Sequence, residues 1–207
     1  MDVRTGSKLI DNRLIVDATR RWLEKAVIGL GLCPFAESVY RRDSVRFHVS
    51  EQRTAVGLVD ALRAELMHLH ASDARRCETT LLIHPWVLND FMEFNDFLQI
   101  CDELVGELGL EGEIQVASFH PQYQFAGTRP DDIENYTNRS PYPTLHLLRE
   151  ASVERALQGV PDPDAIFENN IVRMRELGRA GWEALWAGET PQSVTPPGGP
   201  PQGADPE

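Results

Sequence analysis

Three short β-prone runs at even intervals constrain this chain more than any other feature: Val45–Val49, Thr79–Ile83 and Ile114–Phe119, with an amphipathic segment between each pair. Val45, Phe47 and Val49 alternate with Arg46 and His48, the pattern of a strand with one dry and one wetter face, as at a sheet edge. Thr79–Ile83 is β-prone throughout, as expected of a central strand covered on both sides. Between these two, Val56, Val59, Leu62, Leu66 and Leu69 recur at helical spacing, from an N-cap at Ser50 to the region of Ala71. Asn89 and Asp90 open a second helix, whose Phe91, Phe94, Leu98, Cys101, Val105 and Leu108 fall three and four apart before Gly109 closes it. Strand, helix, strand, helix, strand predicts two successive right-handed βαβ units, hence an α/β fold with a small, mostly parallel sheet of three or slightly more strands.

Helical periodicity also marks the flanks. Val16, Thr19, Trp22, Leu23, Ala26 and Leu30 predict an N-terminal helix over 11–30, stopped by Gly29, Gly31 and Pro34. Near the C-terminus, Ser140 offers an N-cap, Pro141 fits a first turn, and Leu145, Leu148, Ser152 and Ala156 predict a helix. A further helix is expected over 164–186. Residues 1–10 are expected to be a flexible N-terminus, 11–188 a single α/β domain, and the Pro/Gly-rich 189–207 a disordered tail that buries too little apolar area to order itself. The aperiodic stretch from His120 to Arg139 is longer than an ordinary connection and too aromatic for disorder, so it is expected to be functional.

Several function classes are excluded at this level. Of the 207 residues, 32 are acidic and 20 basic, a formal charge of −12 that repels a phosphate backbone, so no nucleic-acid partner is expected. No apolar run reads as a signal peptide or a membrane span, and Cys33, Cys77 and Cys101 are widely spaced with no CxxC pair; together these predict a soluble protein of a reducing cytoplasm. Phosphate loops, dinucleotide fingerprints, GxSxG and HExxH are missing.

The residues able to carry chemistry gather at strand ends and in the aperiodic stretch. His48, His84 and His120 end the three β runs, and in parallel sheets the C-terminal edge is where ligand loops collect. His48 fits the wet side of an edge strand, whereas His84 and His120 fit either a strand-end structural role or acid–base and ligand chemistry. Cys33 lies at a break between elements, where a thiol can be presented as a nucleophile or buried and inert. Asn135, Asn138 and Arg139 precede a predicted helix start, where a guanidinium and free N–H groups would suit an anion, or would simply shape turns. On that helix Tyr142, His146 and Arg149 would share one stripe, with Glu150 four residues beyond His146 able to orient its imidazole. Cys33, His84, His120 and His146 would make a mixed sulfur and nitrogen set for a divalent transition metal.

Three strings carry a resemblance: Gly31-Leu32-Cys33-Pro34-Phe35-Ala36, then Ala117-Ser118-Phe119-His120-Pro121-Gln122-Tyr123-Gln124-Phe125, and Asn138-Arg139-Ser140-Pro141-Tyr142-Pro143 continuing to His146-Leu147-Leu148-Arg149-Glu150. They resemble a mainly bacterial family, domain of unknown function 1415, over roughly Ile15 to Leu157. The resemblance implies no reaction, but it points to Cys33, His120, Asn138, Arg139, His146, Arg149 and Glu150.

Two readings follow. In one, the chain is a small-molecule enzyme acting on an anionic substrate, with Cys33, His120, His146 and Glu150 catalytic, Asn135, Asn138, Arg139, Tyr142 and Arg149 binding, and a metal assisting. In the other it is a non-catalytic ligand-binding or adaptor protein.

Overall fold

The computed structural model describes residues 12–158, 160, 162 and 165–187; the expected flexible N-terminus and Pro/Gly-rich tail lie outside the described residues. Helix α1 (Asn12–Trp22) runs directly into a π-helical turn, Leu23–Ile28, and short α2 (Ala36–Arg41) follows. The expected N-terminal helix is therefore present, but its hydrogen-bond register widens after Trp22, and Leu23, Ala26 and Val27 are all buried there. Next come β1 (Val45–Val49), α3 (Ala55–Ala71), β2 (Thr79–Ile83), α4 (Phe91–Glu107) and β3 (Ile114–Phe119), all where the periodicity puts them.

Local chemistry explains the boundaries. Asp90 caps α4 by accepting from the backbone N–H groups of Met92 and Glu93 at 2.9 and 3.1 Å. The cap of α3 is Thr54, whose hydroxyl accepts from Gly57 N–H at 3.1 Å, not Ser50. Ser50 instead prolongs the β1–β2 ladder, its N–H bonding Ile83 O at 2.7 Å. With the start of α3 moved, Leu58 joins Leu62, Leu66 and Leu69 inside, and Val56 is 77% exposed.

The sheet is mixed, not the mostly parallel one expected. Among the described residues it has four strands in the order β1-β2-β4-β3, and only the β1–β2 pair is parallel. The fourth strand, β4 (Thr144–Arg149), lies antiparallel between β2 and β3. It occupies the segment that helical spacing assigned to a helix from Ser140; the actual helix, α5 (Glu150–Leu157), begins only where β4 ends. Leu145 and Leu147 face one core and His146 the other side, and with Leu148 also buried the leucines fall at both helical and strand spacing, so either period can be read. The last helix, α6 (Ala165–Ala184), breaks at Gly178, where φ is +62°.

The sheet divides two cores. On one face α3 and α4 pack over Leu82, Ile114, Leu145 and Leu147. On the other, α1, the π turn and α6 cover Leu81 and Ile83, with Trp22, Met174 and Trp182 inside. Edge strand β1 is guarded by Arg46, which grips Glu65 of α3 through two hydrogen bonds of 2.7 and 3.1 Å. No helix among the described residues is long and apolar enough to cross a membrane.

Candidate functional site

Cys33 follows a turn that two side chains of α6 hold in place. Arg173 donates to the carbonyls of Leu30 and Gly31 at 2.6 and 2.8 Å, and Asn170 donates to Leu32 O at 2.8 Å. Gly31, at φ +63°, supplies the left-handed residue this turn requires. The backbone N–H groups of Phe35 and Ala36 beside the Cys33 thiol favour its thiolate, but burial outweighs them and pushes its pKa above the ordinary thiol value.

His146 reaches the same region from β4. Its Nε2 lies 2.7 Å from Thr79 Oγ1, and that hydroxyl donates its single proton to Leu147 O at 2.6 Å. Thr79 can then only accept from the imidazole, so Nε2 carries the proton and Nδ1 is the basic nitrogen. Burial pushes His146 down to about 4, which keeps the ring neutral near pH 7. Cys33 and His146 line one apolar chamber of about 50 Å³, together with Thr79, Phe119, Trp22 and Val27 of the π turn. Phe119 packs edge-on against Trp22 at 5.0 Å and tilts over His146 at 6.0 Å, closing one wall.

The four residues expected to form a metal set do not converge. Because side chains alternate along a strand, His84 and His120 project to the α3/α4 face, opposite Cys33 and His146. They stack on Phe94 at 5.6 and 5.1 Å. Among the described residues, no group of three or more His, Cys, Asp or Glu is arranged to hold a metal. His84 donates from Nδ1 to Val87 O at 3.0 Å and leaves a buried Nε2 with no partner among the described residues. His120 donates from Nε2 to Leu88 O at 3.2 Å while Nδ1 accepts from Gln122 N–H at 3.0 Å. Burial holds both near 4.

Most of the expected anion-binding residues turn out to be committed to the backbone. Asn135 is fully buried, accepting from Phe125 N–H and the Thr128 hydroxyl at 3.0 and 2.8 Å and donating to Arg129 O at 2.7 Å, which closes the long loop on itself. Asn138 donates to Ser118 O at 3.3 Å, tying the loop to β3. Arg149 donates to the carbonyls of Leu69, Ser72 (2.7 Å) and Cys77 (3.4 Å) around the C-terminal end of α3, so it neither shares a helical stripe with His146 nor reaches the chamber. Glu150 is the first residue of α5, not a helical neighbour of His146, and Tyr142 is buried in the core beneath α1.

Arg139 differs. It donates from Nε to Tyr123 O at 3.1 Å and from Nη2 to Pro130 O, and its guanidinium lies 4.2 Å from the centre of the Tyr136 ring. It borders an open cleft of about 430 Å³ at the C-terminal edge of the sheet, whose other walls include Arg21, Trp22, Trp182 and Trp186. Trp22 is common to the cleft and the Cys33 chamber. The sequence offered signals for two of the residues it left out: Thr79 is a hydroxyl in a fully buried strand, which must find a partner, and Trp182 is a rare, large side chain in a mostly polar helix, α6.

A family model described as Protein of unknown function (DUF1415) matches residues 14–184. No curated protein and no solved structure matches the chain.

Proposed function

The chain belongs to the DUF1415 family, and from that premise, which brings no reaction with it, we propose a cytoplasmic small-molecule enzyme in which Cys33 is the nucleophile and His146 its proton acceptor. The observation that supports this reading is that Cys33 and His146, from elements far apart in the chain, line one apolar chamber. With Cys33 pushed up and His146 pushed down, the resting pair is thiol and neutral imidazole, not an ion pair. Chemistry then runs by general-base assistance: Nδ1 takes the thiol proton as Sγ bonds an electrophilic carbon, and the leaving group departs with that proton. A chamber of about 50 Å³ takes only the reacting end of a substrate. The remainder, carrying negative charge, sits in the adjoining cleft against Arg139.

A covalent trap tests this. The protein is incubated with a panel of small anionic esters and thioesters and its intact mass is read. An acyl group on Cys33, absent in Cys33→Ala and formed more slowly in His146→Gln, supports the proposal; acylation that ignores both substitutions contradicts it. The rival reading, ligand binding without chemistry, is favoured by the disparity between the roomy cleft and the small chamber. It predicts that Cys33→Ala leaves all measurable behaviour of the folded protein intact.

A further inference from the structure

The cleft beside the chamber has a composition that narrows its ligand. It is lined by three of the chain's four tryptophans, Trp22, Trp182 and Trp186, and by Tyr136. Tyr136 meets Trp182 at 5.2 Å and 71°, and Trp182 meets Trp186 at 5.7 Å and 69°. Trp22 and Trp182 are themselves nearly covered, whereas Trp186 is only half-buried, so a third flat ring would stack on Trp186 while meeting the edge of Trp182. At the cleft wall stands Arg139. Among the described residues its hydrogen bonds go only to neutral carbonyls and no carboxylate lies within ion-pair distance of it, although the chain carries a net charge of −12. Carbonyls and the Tyr136 ring orient the guanidinium without neutralising it, and they leave Nη1 without a hydrogen bond among the described residues. At about 430 Å³ the cleft also falls within the roughly 300–1,000 Å³ typical of small-molecule sites.

We propose that this cleft binds an aryl carboxylate, its ring in the tryptophan corner and its carboxylate on Arg139. The inference rests on the preceding reading only in taking the cleft as the seat of the substrate's body. It goes further in naming that body as aromatic.

Calorimetric titration of the full chain with three probes tests it: 2-naphthoate, 2-naphthylmethanol, which keeps the ring without the charge, and cyclohexanecarboxylate, which keeps the charge without the ring. The expected result is that 2-naphthoate binds and that each of the others binds at least about ten-fold more weakly. Arg139→Gln should weaken 2-naphthoate about ten-fold, and Trp186→Leu, away from the Arg139 loop, should weaken it comparably in a protein of unchanged fold. No binding of 2-naphthoate, equal binding of all three probes, or wild-type binding by both variants overturns the inference. Cys33→Ala should bind 2-naphthoate as the wild type does. Failure of the cleft, with Cys33 still acylated in a His146-dependent way, is thereby distinct from failure of the chamber.

Discussion

Thr79 decides which nitrogen of His146 carries the proton. Its hydroxyl is held by Leu147 O at 2.6 Å and is left to accept from Nε2 at 2.7 Å. Thr79→Val keeps the shape and removes the acceptor, so the imidazole loses its enforced tautomer. Nitrogen-detected NMR of His146 should show a single Nε2–H form in the wild type and a mixture in the variant, with stability lower by roughly 1–2 kcal/mol. One unchanged tautomer in Thr79→Val would refute the assignment.

The buried histidines predict a specific acid sensitivity. Burial holds His84 near 4 against the ordinary 6.5, so the unfolded chain binds the proton first. Stability is therefore full above pH ~6.5 and declines as pH falls from there toward about 4, where the folded state also protonates. His120 and His146 act in the same direction. In His84→Leu the fall between those limits should be shallower by about one proton, measured as the slope of unfolding free energy against pH. A slope equal to the wild type's would mean that His84 is not held neutral.

Asn135 organises the long loop and does not itself contact the cleft. Asn135→Ala leaves the Phe125 N–H and the Arg129 carbonyl without their partner, at a cost of roughly 1–3 kcal/mol. Hydrogen exchange should accelerate over residues 121–139 and stay unchanged in β2 and β4. Uniform acceleration throughout the sheet would contradict a local role.

Arg149, expected on sequence to meet a substrate, should behave as a structural clamp. Arg149→Met removes the donors serving the carbonyls of Leu69, Ser72 and Cys77 and should lower stability by roughly 2–3 kcal/mol. It should leave 2-naphthoate affinity where it was. Loss of affinity without loss of stability would return Arg149 to the binding set.

Apart from β2, which its β-prone residues marked as a strand although all five are buried, the sequence was legible where one face of an element stays polar. β1 shows clean alternation because it is an edge strand, and α3 and α4 show a stripe because each covers one face of the sheet. β4 was illegible for the opposite reason: with apolar cover on both faces, Leu145, Leu147 and Leu148 fit a helix as well as a strand. That error displaced His146, Arg149 and Glu150 from one another and gave the sheet the wrong polarity. The candidate site divides similarly. Cys33 and His146 stand among the candidates that chemistry alone singles out, but the sheet that separates them from His84 and His120 cannot be read without knowing which residues share a face. The clamp of Arg173 and Asn170 on the Cys33 turn joins α6 to a distant loop, and no local pattern reports such a contact.

Whether Cys33 and His146 work together is measured by the rate of Cys33 alkylation by iodoacetamide against pH. Peptide mass analysis separates Cys33 from Cys77 and Cys101, which are buried and should stay unmodified in the folded protein. In this reaction Sγ bonds the acetamide carbon, iodide leaves, and the thiol proton passes to Nδ1. The wild type should react at a rate nearly flat across roughly pH 6–8, since neutral imidazole is present throughout. His146→Gln, which keeps an N–H for Thr79 but no base, should be slower at neutral pH and rise about ten-fold per pH unit as bare thiolate forms. Identical profiles for the two proteins would contradict the shared site.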